Sequence, residues 1–377
     1  MLKIVVTDKL QQEGPTVDNF STLVRKIQPK DYDIFVGMDT DSRSIALTAL
    51  DHLGLAKAVA MPHAGDVVLS YVHNHFAGKA VVFAYEAGPT GFGLYDTISA
   101  AGYTCLVVTG SAVPTARGKR VRTNRLDSRK IAFQLRGGGL EGIRVPRDDY
   151  RELRELVTLR KMHMTAAAKC KQRIKALFLR NGMEFPSATP GGYWSRQLIG
   201  ALRELSCSQA LRFKLDSLLD SLLFSQYQAL LSQRQMREFV GTNAEISESV
   251  GYAMSLPGVG WIVATYAIAR IGDYREMGSS DETASFLGLV QTEDTTGDRT
   301  NRGSITKAGD PVLRSLMIEA SWTAIRKDPE LMEFYQRMYR THSADKAARI
   351  AIVAVARKLA TRLHCVVKER RRYEARV

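Results

Sequence analysis

The stretch "IFVGMDTDS", Ile34 to Ser42, decides how this chain is read. Ile34, Phe35, Val36 and Met38 make an apolar run with the length of a buried strand, and the run ends on Asp39, with Asp41 two residues later. An aspartate after a strand is ordinarily a turn residue. On the rim of an α/β sheet it has a second use, because side chains at neighbouring strand ends converge on one crevice. Asp41 reads as a turn or surface residue, with a further ligand as the alternative.

Working outward, "SIALTAL", "AVVFAY" and "TCLVV" are also strand-like, while "TGFGLYDTISAAG" and "LDSRKIAFQLRGG" are helix-like. Short buried strands mixed with helices predict an α/β sheet domain over residues 31–147, behind a short extension at 1–30. Gly137–Gly139 are read as the end of a helix. A phosphate loop there lacks both the preceding strand and a Lys-Ser/Thr pair.

Partners for Asp39 follow the same logic. In "VVFAYEAGPTG", Glu86 closes an apolar run before a Gly-Pro-Thr-Gly turn. In "TNRLDSRKIAFQL", Asp127 falls in the first turn of a helix, with Asn124 three residues earlier on the same face. Asn124 and Thr123 compete for the N-cap. Acids from two strands and a helix bind Mg²⁺ through oxygen, and paired ions of this kind assist in-line phosphoryl displacement. The segment "ARGKRVRTNRLDSRK" places Arg117, Lys119, Arg120, Arg122, Arg125, Arg129 and Lys130 beside them, either as phosphate contacts or as a solvated loop.

Net charge supports the first use. The formal charge of +14 points to a polyanionic partner, most commonly nucleic acid. No apolar run reaches a membrane-spanning length, and no secretory leader is evident at the N-terminus. Four widely separated cysteines, Cys105, Cys170, Cys207 and Cys365, fit neither a disulfide framework nor a zinc knuckle and suit a reducing cytoplasm.

Past Asp148 the pattern becomes helical. Residues 148–245 predict a helical arm: one long helix closed by Gly182, the loop "MEFPSATPGGYW", and a second helix over Ser206 to Val240. In the second helix Leu211, Leu215, Leu218, Leu222, Ser225, Ala229, Ser232 and Met236 alternate four and three apart, a coiled-coil seam. A monomeric bundle and a dimerisation arm are the other uses of that pattern. Residues 246–340 predict an all-α region, and 341–377 a basic C-terminal helix. "LPGVG", Leu256 to Gly260, before an apolar helix suggests a helix-hairpin-helix-like element whose Gly258 and Gly260 offer backbone N–H groups to phosphate; an ordinary tight turn is the alternative. In "TEDTTGDRTNRGSITKAG", Thr295, Thr296 and Gly297 lie in a polar loop with Arg299, Arg302 and Lys307. A hydroxyl there can attack a phosphodiester or only donate a hydrogen bond.

Taken in order, "VGMDT", "AYEAGPTG", "RTNRLDSRKIA", "LPGVGWIVA", "FLGLV", "TTGDRTNRGSITKAG" and "LRSLMIEASW" resemble the DEDD-type transposases of the insertion-sequence-110 family, over about residues 34–340. The resemblance implies an RNase H-like (RuvC-like) domain, a coiled-coil arm and a C-terminal transposase domain. It implies a bacterial, cytoplasmic, nucleoid-associated recombinase with Mg²⁺ as cofactor. Its partners would be donor and target double-stranded DNA, a structured noncoding guide (bridge) RNA, and further copies of itself in a dimer or tetramer. Residue by residue it assigns the acids to Asp39, Glu86 and Asp127. Asn124 stands where the family usually has a third aspartate, and Thr296 where it has a catalytic serine, with Thr295 one residue away. A stand-alone junction nuclease using water, and an impaired relative that only binds RNA and DNA, are the competing readings.

Overall fold

In the first sheet β1, β4 and β5 are buried on both faces, and a helix layer covers each face. β1 (Ile34–Thr40), β2 (Ser44–Leu50) and β3 (Ala56–Pro62) form an antiparallel meander, and β4 (Val81–Glu86) and β5 (Thr104–Val108) extend it in parallel, giving the order β3-β2-β1-β4-β5. Ile34, Val36 and Met38 of β1, with Phe83 and Tyr85 of β4, pack on one face with α1 (Gly65–Phe76) and α2 (Gly93–Ala100). Phe35, Val82 and Ala84 pack on the other face with Ile131 and Leu135 of α3 (Asn124–Arg136).

Gly37 explains how close α3 lies to the sheet. A Cβ at that position would stand 2.3 Å from the Ser128 carbonyl oxygen and the Ala132 nitrogen, so only glycine admits the helix. A buried hydrogen bond of 2.9 Å between the hydroxyls of Thr48 and Ser128 ties α3 to β2. Ile27 is buried in the same layer, so the sheet unit starts before residue 31. Neither β3 nor α1 is anticipated by the sequence patterning. β3 is an edge strand with five of its seven residues exposed, so it lacks the apolar run that marks its neighbours.

The computed structural model describes residues 26–110, 123–186, 194–296 and 299–375, in two units that divide after Val145. The second unit opens with α4 (Asp148–Arg180), α5 (Arg196–Glu204) and α6 (Gln209–Thr242). Tyr150, Leu153 and Val157 at the start of α4 pack with Met236 and Val240 at the end of α6. Ile174 and Leu177 near the end of α4 pack with Leu215, Leu219 and Leu222 near the start of α6, so the two helices run antiparallel. Ser225, Ala229 and Ser232 are buried on α6, and both serine hydroxyls donate to carbonyls four residues back at 2.8 Å. Within the seam Leu219 is fully buried, whereas Leu211 and Leu218 are only partly covered. α5 was not expected; Leu198, Ile199 and Leu202 make its buried side.

The rest of the second unit comprises α7 (Ala244–Met254), α8 (Trp261–Ile271), α9 (Ser280–Phe286), α10 (Pro311–Ala324), α11 (Pro329–Arg340) and α12 (Ala344–Lys368). It is not all-α: β6 (Gln291–Thr296) and β7 (Arg299–Ile305) form an antiparallel hairpin where a polar loop was expected. Local polarity hid it, because a two-stranded ribbon needs no apolar alternation. α12 is amphipathic, with one side in the core. Ile352, Val355, Leu359 and Leu363 are buried in the helical core. The following tail is fastened down, with the Tyr373 N–H donating to the Ser255 hydroxyl at 2.8 Å and the Tyr373 hydroxyl donating to Asp328 at 2.5 Å. Arg371 pairs with Glu369.

Candidate active site

Strand register brings the first two acids together. Met38 of β1 lies opposite Tyr85 of the parallel strand β4, so Asp39 and Glu86 occupy the next position on adjacent strands. Alternation carries Asp39 to the face of Phe35 and Gly37, and Glu86 to the face of Val82 and Ala84, which is the α3 face in both cases. α3 starts over this end of the sheet. Thr123 is its N-cap, its hydroxyl accepting from the Leu126 N–H, so Asn124 is the first helical residue rather than the cap. Asn124 and Asp127 extend the side of α3 that buries Ser128 and Ile131.

The electrostatics follow from that placement. Burial pushes the Asp39 carboxyl above its ordinary value, and the negative charges of Asp127, Glu86 and Asp41 push it further. Lys130, one turn along α3, donates to Asp127 at 2.5 Å. Glu86 has room because Gly110 follows β5: a Cβ there would lie 2.3 Å from Oε1 of Glu86. Neither Gly37 nor Gly110 was identified from sequence, although each stands in or just after a strand-like run, where glycine signals a close approach. Asp41 is an exposed turn residue; its carboxylate accepts from the Ser42 N–H at 2.6 Å and its carbonyl oxygen accepts from Nδ1 of His63 at 2.7 Å.

The donor set suits a hard divalent cation, since every candidate ligand is an oxygen and the like charges around Asp39 call for a positive partner. As placed, no group of three His, Cys, Asp or Glu side chains among the described residues could hold a metal ion. Ligation therefore needs side-chain movement, including release of Asp127 from Lys130.

The remaining predicted contacts divide into those described and those not. Arg117, Lys119, Arg120 and Arg122 lie outside the described residues. Arg125 and Arg129 are exposed on the first two turns of α3, with the Arg129 guanidinium 5.4 Å from the centre of the Phe133 ring. Thr295 and Thr296 end β6, opposite Thr300 and Arg299 of β7; Gly297 lies outside the described residues. Arg302 is opposite Glu293 in the same ladder.

The base of that hairpin is rigidly built. Gly288 (φ 64°) and Gly309 (φ 98°) touch opposing backbone, where a Cβ would meet the Ala308 carbonyl oxygen at 2.1 Å and the Phe286 carbonyl oxygen at 2.0 Å. Buried Asp310 caps α10 through the Val312 and Leu313 N–H groups and pairs with Arg270. Lys307 is exposed, and its backbone N–H donates to the Gly288 carbonyl at 3.2 Å, so its left-handed backbone (φ 55°) serves the hairpin base. In the Leu256–Gly260 turn, Gly258 (φ 80°) faces α10, where a Cβ would lie 2.3 Å from the Ala320 carbonyl oxygen. Gly260 is exposed at the N-cap of α8 with nothing within 4 Å of a built Cβ. Gly258 is thus needed for packing whatever else the turn does.

A mixed α/β sheet with acids on one rim, followed by a mostly helical unit, fits a DEDD nuclease-like architecture. The family model for a DEDD transposase matches residues 19–181, and that of the transposase IS116/IS110/IS902 family matches residues 251–336. Protein y4qE of Sinorhizobium fredii, named for a transposase, is 30% identical over 336 residues, which are 88% of this chain and 80% of that protein. The transposase for insertion sequence element IS1533 of Leptospira borgpetersenii is 20% identical over 339 residues, 88% of this chain and 94% of that protein. The pilin gene-inverting protein of Moraxella bovis is 25% identical over 145 residues, 38% of this chain and 44% of that protein. The chain belongs to the IS116/IS110/IS902 family of transposases. Among the described residues no helix is long and apolar enough to cross a membrane.

Proposed function

We propose that the protein recombines DNA through two sets of its own residues, the acids of the first sheet and a hydroxyl of the β6–β7 hairpin. The observation that carries this reading is the register of β1 and β4, which sets Asp39 and Glu86 side by side on the sheet face that α3, with Asp127 in its first turn, covers. Mg²⁺ bound by Asp39, Glu86, Asp127 and the Asn124 carbonyl would supply positive charge at a scissile phosphate. The amide keeps an oxygen donor but adds no negative charge, so it weakens the cation's hold relative to an aspartate.

In this reading the Thr296 hydroxyl attacks phosphorus, its proton passes to solvent or base, and the 3′ oxygen of the DNA leaves and is protonated. The product is a Thr296–phosphate ester and a free 3′-OH. A 3′-OH from a partner strand then attacks the ester and releases Thr296, which conserves bond energy and needs no nucleotide cofactor. The β-branch of threonine restricts χ1 and slows the attack relative to serine. Thr295, one register position back, is the alternative nucleophile. The exposed Arg125 and Arg129, with Arg117, Lys119, Arg120, Arg122, Arg299, Arg302 and Lys307, would neutralise backbone phosphates, and the turn at Gly260 would offer N–H groups. The arm would act as a coiled coil, and the reaction would run in a dimer or tetramer on donor and target DNA. The name of the Moraxella relative, a gene-inverting protein, agrees with strand exchange rather than simple hydrolysis. A structured RNA is the guide in this reading.

Two experiments test it. DNA carrying the target junction is incubated with protein and Mg²⁺, then resolved before and after protease. An adduct lost on protease treatment and absent from Thr296→Ala supports the hydroxyl; cleavage without any adduct favours water and a junction nuclease. Sequencing nucleic acid that copurifies with the protein tests the guide: a single short RNA species supports it, and random cellular RNA removes it.

A further inference from the structure

Charge on the arm is one-sided. From Leu156 to Arg180, α4 carries seven lysines and arginines and no acid. Arg160 turns inward to Tyr266 of α8. Lys161, Lys169, Arg173, Lys175 and Arg180 are exposed, away from the Ala167, Cys170, Ile174 and Leu177 stripe that packs in the arm's core. Among the described residues none of these five forms an ion pair. By contrast two acids of α6 are occupied locally, Asp216 by Arg212 at 2.8 Å and Asp220 by Arg203 at 2.6 Å.

A helix that only needs solubility intersperses acids four residues from its bases, because such pairs stabilise it, whereas like charges at that spacing repel. Lys169, Arg173 and Arg180 recur at steps of four and seven and share one side of α4. From Lys161 to Arg180 the cations span about 28 Å of helix, most of one turn of a nucleic-acid duplex. The aromatic residues of α4 itself, Tyr150 and Phe178, are buried, so the helix contributes no ring of its own on which single-stranded bases could stack. Unpaired cations without stacking surfaces match a duplex backbone, and the family's substrate is DNA.

We propose that the outer face of α4 docks the phosphate backbone of double-stranded DNA, as a site separate from the acid rim and the threonine hairpin. It deepens the recombinase reading by naming where flanking duplex is held. Contacts of this kind fix orientation without reading sequence.

The test compares full-length protein with the triple variant Lys169→Gln, Arg173→Gln, Arg180→Gln. Binding to a duplex of random sequence is measured across salt concentrations. The slope of log K against log salt is expected to flatten by about two to three, since each lost phosphate contact removes about 0.9. Circular dichroism and thermal melting unchanged from the parent keep the comparison on charge. An unchanged slope overturns the proposal, because the face is then merely solvated. A change seen with duplex RNA but not duplex DNA also overturns it, since the arm then serves RNA. Adduct yield at saturating DNA is measured separately; loss of the adduct in the parent protein strikes the hydroxyl mechanism, while the salt slope still reports on the arm.

Discussion

Asp39 and Asp328 are both partly or wholly withdrawn from water, yet their carboxyl groups shift in opposite directions. Burial raises both. Around Asp39 the neighbours are further acids, and its carboxyl ends above the ordinary range. Around Asp328, the Tyr373 hydroxyl, the Leu331 N–H and Arg362 stabilise the anion, and its carboxyl ends below that range. Arg362 donates to Asp328 at 2.8 Å and also reaches Glu330 at 2.6 Å, which in turn holds Lys358. One acid is finished by the protein's own donors and serves stability. The other has further acids for neighbours among the described residues, which is the condition in which a cation is attracted.

Substitutions can break this contrast. The largest effect is expected for Asp39→Ala, which should cut DNA strand cleavage by roughly a hundred- to a thousand-fold while leaving thermal stability near the parent value. Cleavage assays on folded protein check it; wild-type rates would remove Asp39 from the chemistry. Asp328→Ala should do the reverse. Removing the buried carboxylate that accepts from the Leu331 N–H, the Tyr373 hydroxyl and Arg362, which keeps Glu330, is expected to cost about 3 kcal/mol, read as an early urea midpoint for the second unit.

Gly258→Ala should rank next. The left-handed φ and the contact with α10 together predict a loss of about 2 kcal/mol, whereas Gly260→Ala should leave the melting curve in place. If both variants melt like the parent, the packing role of Gly258 is wrong.

The smallest effect sharpens the sign of the Asp39 shift. A folded-state pKa raised above the unfolded one means that the protonated form is favoured in the fold. Its stability is full below the unfolded value and is lost as pH rises through the folded value. Asp39→Asn should therefore raise the melting temperature of the first unit by about 2 °C at neutral pH without divalent ions. The gain should shrink as pH falls through the raised folded-state value and be gone below about 4. Adding Mg²⁺ should stabilise the parent more than the variant; equal stabilisation would speak against ligation by Asp39.

Much of the acid rim was legible from residue order. An apolar run that stops on an acid defines a strand end, and two such runs plus an acid in the first turn of a helix define a rim. The period of two along β1 and β4 and the helical spacing from Asn124 to Ser128 then decide which side chains share a face. Gly37 and Gly110 escaped notice because their function is the absence of a side chain, visible only once α3 and Glu86 stand against them. The hairpin under Thr296 escaped because its strands are polar, and its base depends on contacts between Phe286–Leu289 and Lys307–Asp310. α5 falls between the loop that ends at Trp194 and the helix expected from Ser206, a stretch to which no element was assigned.

By itself the sequence determined the local code: apolar runs that lead into Asp39 and Glu86, a helix with Asp127 in its first turn, two long helices, and an arm helix bare of acids beyond Glu155. These follow from periodicity, capping and charge, which act over a few residues. Only the tertiary structure decided that β1 neighbours β4, that Lys130 meets Asp127, which face of α12 is buried, and that Lys161, Lys169, Arg173, Lys175 and Arg180 of α4 form no ion pair among the described residues. Those outcomes depend on which faces meet across the fold. The free energy of burying one surface against another belongs to the pair, and no single stretch of chain encodes it.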